Sequence, residues 1–430
     1  MPLSFFSLLT TALTASQVAL ALPAPSPEPS VDATPSSTGS WSVKQARDVS
    51  HVIDGTASLV ELYSKYRVLM PEDLKNAMGK SQKRGVVSAS LIPAGTCGGK
   101  FSLPTKIGLV GNTIYNLVFD TASIGTWVHS PKTANPKALQ SSYNHENRFA
   151  TGNQVEGYTW GTDDPNGNSA SGIGYYETVS VNGLTAKNQV LQVAETAPSS
   201  FHNLQSVSGV MGMGLTTISS LGDYPDYGFL ERVRNKLDRN VFTVDMKHCS
   251  TGQVEFGDAS EFAYYGYLGY AQVLDQDGYW KFKAQIFGGV DVKNIDMSNP
   301  DGKNIQEVIA DTASDLVMLP LEYVEEYYAK VENAHYNKEN AGFVYPCNSQ
   351  LPDFTFLSGG TAISIPGRYL KLNLVDEELD LCFGALQSSE ELGVNILGSP
   401  AFKSAFVVFN PSGREIGWAR KELMDKEFGL

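Results

Sequence analysis

Two tetrapeptides in this 430-residue chain are identical, Asp120-Thr121-Ala122-Ser123 and Asp311-Thr312-Ala313-Ser314. Each follows an apolar run, Val118-Phe119 in the first case and Ile309-Ala310 in the second. Roughly 85 to 90 residues further on, each is followed by an apolar run closed by glycine, Gly209-Val210-Met211-Gly212 and Asn395-Ile396-Leu397-Gly398. A single copy would carry little information, but two in matching context read as an internal repeat. A repeat that delivers one carboxyl group per half points to chemistry by paired acids. Two carboxyl groups held side by side do not both ionise comfortably, so they share a proton. The charged member then serves as general base on a water molecule, while the protonated member polarises the group under attack and later donates its proton. Neither a metal nor a cofactor is needed for that chemistry.

Such a pair needs a scaffold that brings two distant loops together, and the rest of the chain reads as short strands. Glycine is frequent at 40 residues, and Tyr and Phe dominate the aromatics, a mix that favours strands and tight turns over helical bundles. β-type runs occur at Asn116–Phe119, Thr178–Gly183, Val241–Val244 and Phe406–Phe409. From about Lys100 onward helical periodicity is limited, and the clearest candidates are Gly228–Leu237 and Leu321–Val331, the latter opening just after a proline. With 42 % hydrophobic residues the chain can bury real cores, and its length suits two lobes. The net charge of −14 argues against nucleic-acid binding. The four cysteines form no CxxC pair and the six histidines no HExxH, so a zinc site is not expected. No segment after the N-terminus is long and apolar enough for a membrane anchor.

The N-terminus reads as targeting and processing sequence. An apolar stretch from Leu3 ends in Ala19-Leu20-Ala21, a small-x-small pattern that marks 1–21 as a signal peptide and the protein as secreted and extracellular. Residues 22–42 are rich in Pro, Ser and Thr and are expected to be unstructured. From Lys44 to Arg84 basic residues outnumber acidic ones eight to five. Within that stretch, residues 55–78 have the spacing of one or two short amphipathic helices. It closes at Lys83-Arg84, a dibasic cleavage candidate, so residues 22–84 read as a propeptide suited to lie over an acidic cleft as an inhibitor.

On these motifs the chain resembles the pepsin-like aspartic endopeptidase family, especially its fungal penicillopepsin-like branch. Supporting stretches include Leu62-Tyr63-Ser64-Lys65-Tyr66 and Met70–Leu74 in the propeptide, Gly125-Thr126-Trp127-Val128, and Ser169-Ala170-Ser171-Gly172. Gly342–Cys347, Cys382-Phe383-Gly384 and Ile396–Phe402 extend the likeness to the second half. The resemblance implies an all-β, bilobal pepsin-like acid protease fold with pseudo-twofold lobes, 85–265 and 266–430, and an active-site cleft between them. It implies peptide-bond hydrolysis at acidic pH, with Asp120 and Asp311 catalytic, Thr121 and Thr312 cross-linking the two loops, and Ser123 and Ser314 supporting the carboxylates. Protein and peptide substrates are the implied partners, and a monomer is the default. Cys347 and Cys382 match a disulfide of the fungal branch; Cys97 and Cys249 have no partner in that pattern and either pair or stay free.

Two departures stand out against the family pattern. Its usual Asp-Thr-Gly carries alanine here, Ala122 and Ala313, so a methyl group is added beside each carboxylate. The flap segment 157–169 is longer than usual. Trp160 stands before Gly161 where a tyrosine is expected, with Tyr158 as the other candidate for closing over substrate and meeting Trp127. These departures keep open an alternative, a catalytically weak or inactive pepsin-fold binding protein. A two-carboxylate glycosidase is a third reading, which the Thr/Ser-flanked turns do not favour.

Overall fold

The computed structural model describes residues 39–47, 53–81, 100–109, 113–133, 143, 153–162, 164–167, 169–198, 207–215, 228–274, 277–289, 304–376 and 378–423. The expected signal peptide, the Lys83-Arg84 junction and Cys97 lie outside these residues.

Among the described residues strands dominate and gather into sheets of eight, seven, six and four strands. The eight-stranded sheet lies in the first half of the chain and contains Phe101–Ile107, Ile114–Asp120, Trp127–His129, Gln154–Gly161, Ser171–Val181, Leu184–Thr196 and Gly209–Gly212. The seven-stranded sheet belongs to the second half and contains Lys281–Gly288, Ile305–Ala310, Val317–Leu319 and Asn395–Leu397. The six-stranded sheet draws on both, pairing Phe242–Asp245 with Ala405–Asn410. The fold is therefore all-β and bilobal.

The sequence repeat corresponds to a repeated strand crossing. Ile114–Asp120 runs parallel to Gly209–Gly212, and Trp127–His129 lies antiparallel on that strand's other side. In the second half Ile305–Ala310 runs parallel to Asn395–Leu397, with Val317–Leu319 antiparallel beyond it. Each Asp-Thr-Ala-Ser loop thus joins strands on either side of one short central strand and must pass over its end. Glycine closes that central strand because the loop backbone comes too near for a side chain. A Cβ on Gly398 would collide with the Leu316 and Ser314 carbonyls, and one on Gly212 with those of Ile124 and Gly125.

The strands entering the loops are buried, with Leu117, Phe119, Val308 and Ala310 essentially inaccessible. Behind them the six-stranded sheet supplies an aromatic core. Phe242 and Phe409 are cross-strand partners stacked at 4.5 Å, and Trp280 packs edge-on against both at 5.9 and 4.9 Å. The two helical expectations hold in shortened form: Phe229–Val233 tightens into a 3₁₀ turn, Arg234–Lys236, and Leu321–Tyr328 starts directly after Pro320.

The N-terminal segment contributes helices Gly55–Lys65 and Glu72–Ser81. The first is N-capped by Asp54, whose Oδ1 accepts the Ala57 N–H at 2.9 Å. Leu59, Leu62 and Tyr63 from the first helix, and Leu74 and Ala77 from the second, are buried. The expectation that residues 22–42 are unstructured fails at its end, because Trp41–Lys44 is a strand paired antiparallel with Gln253–Phe256. Trp41 and Val43 alternate with polar residues and pack against the core, a period-two pattern easily hidden behind the Pro/Ser run. Cys347 and Cys382 form a disulfide. Cys249 is also disulfide-bonded, with its partner outside the described residues.

Candidate active site

The fold places Asp120 at the end of its strand and Asp311 in the corresponding turn, both deeply buried. Each side chain folds back onto its own loop. Asp120 Oδ1 accepts the Ala122 N–H at 2.9 Å, and Asp311 Oδ1 accepts the N–H groups of Ala313 and Ser314 at 3.0 and 3.2 Å. Asp residues favour such turns because a carboxylate accepts the backbone donors that a tight turn leaves over.

The neighbouring threonines join the loops. The Thr121 N–H donates to Thr312 Oγ1 at 3.0 Å and the Thr312 N–H to Thr121 Oγ1 at 3.1 Å. Each hydroxyl then donates onward at 2.7 Å, Thr121 to the Ala310 carbonyl and Thr312 to that of Phe119. Four buried bonds thus fix the two loops against each other about a local twofold. The serines break that symmetry. Ser123 Oγ donates to Asp120 Oδ2 at 2.6 Å, whereas Ser314 Oγ donates to the Leu316 carbonyl at 3.2 Å and leaves Asp311 alone. The added methyl groups of Ala122 and Ala313 are accommodated. Neither residue takes a positive φ, and both N–H groups still reach their carboxylates.

A third element completes the site. Lys65, last residue of helix Gly55–Lys65, brings its Nζ to 2.8 Å from both Asp120 Oδ1 and Asp311 Oδ1, and 2.9 Å from Asp311 Oδ2. The adjoining Tyr66 hydroxyl donates to Asp311 Oδ2 at 3.0 Å, and its ring lies against Tyr279 with centroids 5.6 Å apart. Burial opposes the Lys65 charge, but the two carboxylates more than offset it and hold the ammonium above the usual lysine range. Burial and the Asp311 charge push the Tyr66 phenol well above its ordinary value, so it stays protonated as a donor. Spacing rules did not single out Lys65 or Tyr66. The available signal was their place in the basic, helix-patterned stretch that also carries the propeptide likeness.

Residues 104–421 match the profile described as eukaryotic aspartyl protease. The chain belongs to the eukaryotic aspartyl protease family. It is 32 % identical to endothiapepsin of Cryphonectria parasitica over 376 residues, 86 % of this chain and 88 % of that one. Aspergillopepsin-1 of Aspergillus oryzae is 32 % identical over 87 % of this chain and 89 % of its own. Podosporapepsin of Podospora anserina is 29 % identical over 92 % and 94 %. As a member of this family, the protein is an aspartic endopeptidase.

In this aspartyl protease the hairpin Gln154–Gly161 and Ser171–Val181 carries the expected flap residues, with Trp160 opposite Gly172 and Gly161 opposite Ser171. Trp160 packs on Trp127 with ring centroids 6.2 Å apart. Both indoles are donors only, so the contact is one of ring faces and cannot be a hydrogen bond between them. Tyr158 is buried against Val155 and Val190, and its hydroxyl accepts from Gln192 Nε2 at 3.0 Å, which sets it beneath the hairpin. The long tip is shaped by Asp164, whose Oδ1 accepts the Asn166 N–H at 2.9 Å and Asn166 Nδ2 at 2.8 Å. Asn166 in turn grips the N-terminal segment. Its Nδ2 donates to the Val68 carbonyl at 2.8 Å and its Oδ1 accepts the Met70 N–H at 2.9 Å. A side-chain amide thus copies one rung of a β-ladder, a role with no sequence signature beyond the length of the tip.

Proposed function

We propose that the protein is a secreted zymogen whose mature form cleaves protein substrates at acidic pH through Asp120 and Asp311. Residues 1–21 direct export and 22–84 form the inhibitory propeptide. Cleavage after Lys83-Arg84 releases a monomeric enzyme with lobes 85–265 and 266–430. The observation that carries this reading is a single ammonium, Lys65, bonded at 2.8 Å to both carboxylates. A cation there neutralises the pair and occupies the position that a catalytic water needs.

With the propeptide gone, the dyad holds one proton between its two carboxyl groups. The charged member takes a proton from water as that water attacks the scissile carbonyl. The protonated member donates to the carbonyl oxygen; as the tetrahedral intermediate collapses, the carboxyl that took the water's proton passes it to the leaving amine, and a hydroxyl proton of the intermediate returns to the other carboxylate. Thr121 and Thr312 hold the geometry, Ser123 supports Asp120, and Trp160 with Trp127 walls the flap side. The reading of an inactive binding protein loses one of its two motives, since the alanine methyl groups leave the N–H donors to both carboxylates in place; the altered flap is the other.

Incubating the precursor from pH 3 to 7 with a denatured protein tests this reading. The controls are an Asp120→Asn variant and a transition-state-analogue inhibitor, and the new N-terminus is sequenced. Acid-dependent cleavage that both controls abolish, with a mature chain starting near Gly85, is the expected result. A correctly processed, folded protein that cleaves nothing would sink it.

A further inference from the structure

The two catalytic loops share a sequence but not their support. Asp120 receives the Ser123 hydroxyl on its outer oxygen, while Ser314 turns away to Leu316. The second loop is gripped from behind by Lys100, which lies just before strand Phe101–Ile107. Lys100 Nζ donates to the Ala313 carbonyl at 2.7 Å and pairs with Asp315 Oδ2 at 3.0 Å. Both side chains are nearly inaccessible, at 4 and 3 % exposure. In the first loop the place of Asp315 is taken by Ile124, an apolar residue. The third Lys100 bond, to Glu61 Oε2 at 3.1 Å, belongs to the N-terminal helix.

We propose that Lys100 is a positioning residue for the reaction, setting the Asp311 loop through the Ala313–Ser314 peptide group. The proposal rests on the role assigned to Asp311 above. The carbonyl that Lys100 holds and the Ser314 N–H that donates to Asp311 Oδ1 are two ends of one peptide unit. A cation on the oxygen fixes the plane of that unit and polarises its N–H toward the carboxylate. Asp315 is then the counter-charge that lets a lysine stay buried, since an unpaired ammonium there would be costly. Strand Phe101–Ile107 pairs with Ile114–Asp120, the strand that carries the other aspartate. Lys100 therefore ties the first half of the site to the second loop, alongside the threonine pair. Loss of Glu61 with the propeptide leaves the Ala313 and Asp315 contacts in the mature chain.

The test uses mature enzyme carrying Lys100→Met, Lys100→Arg, or Lys100→Met with Asp315→Leu. The double variant removes both buried charges and keeps the question answerable if the single variant misfolds. Competent sites are counted by titration with a tight-binding transition-state analogue, so that kcat is read per folded site. The expected result is a kcat lower by about ten- to a hundredfold at unchanged KM in the folded double variant. Lys100→Arg, which keeps charge and donors, recovers part of it. An unchanged kcat per site in the double variant, or a raised KM at unchanged kcat, overturns the proposal. Failure of the underlying function reads differently, as absence of cleavage by the native enzyme, and overturns the proposal with it.

Discussion

At the residue scale the two aspartates receive unequal donors. Within its own loop Asp120 accepts one backbone N–H and the Ser123 hydroxyl, whereas Asp311 accepts two backbone N–H groups, those of Ala313 and Ser314, and no serine hydroxyl. Replacing either aspartate by asparagine leaves one carboxyl group where the proposed reaction uses two, and kcat on a protein substrate is expected to fall by about three orders of magnitude or more. The serines should separate. Ser123→Ala removes a 2.6 Å bond to Asp120 and is expected to lower kcat about tenfold. Ser314→Ala, which loses only a local turn contact, should leave kcat within about twofold. Equal losses in the two variants, measured side by side, would contradict the asymmetry. Asp120, Asp311 and both threonines were legible because a repeated tetrapeptide is rare. The different paths of Ser123 and Ser314 were not, because identical letters adopt different bonds once Asp315 and Lys100 enter one loop and Ile124 the other.

At the element scale the helix Gly55–Lys65 carries the contacts that occupy the site, and their response to pH has a definite sign. Lys65, held above its ordinary value, remains charged from acid to neutral pH. Across that range its own charge therefore gives the contact no pH dependence. Glu61 differs. Burial raises it, with the Asp315 charge adding to that and Lys100 opposing. A carboxyl raised on docking stabilises the docked state below its unperturbed value, and that contribution is lost as pH climbs through the raised one. Glu61→Gln should abolish this loss. In an Asp120→Asn background that cannot self-process, the melting temperature of Glu61→Gln minus that of its parent is expected to be larger at pH 7 than at pH 4. Asn166→Ala, which deletes both bonds to Val68 and Met70, should speed propeptide release at fixed pH, followed by the rate at which activity appears. The helix was legible from its apolar spacing. Its partners were not, because they lie as far as 318 residues away in the chain, from Gly55 to Asn373, and no spacing rule reaches that distance.

At the scale of the molecule, the bilobal all-β architecture was readable from the repeat and the family likeness, since each half needs the same strand crossing to present its aspartate. The join between halves was less readable. The six-stranded sheet that mixes both is assembled from strands whose partners are distant in sequence, such as Phe242–Asp245 with Ala405–Asn410. The Cys347–Cys382 bridge spans 35 residues. Replacing both cysteines by serine is expected to cost about 4 kcal/mol in the chain-entropy model, seen as a lower melting temperature with the cleavage preference unchanged.

The strand Trp41–Lys44 has a consequence that outlasts maturation. It lies on the edge of the six-stranded sheet, against Gln253–Phe256, and would leave with the propeptide. Gln253–Phe256 would then lose the strand paired along that edge. The precursor, which carries that strand, is then expected to regain more activity after denaturation and dilution than the mature enzyme treated the same way, and equal recovery would count against this consequence.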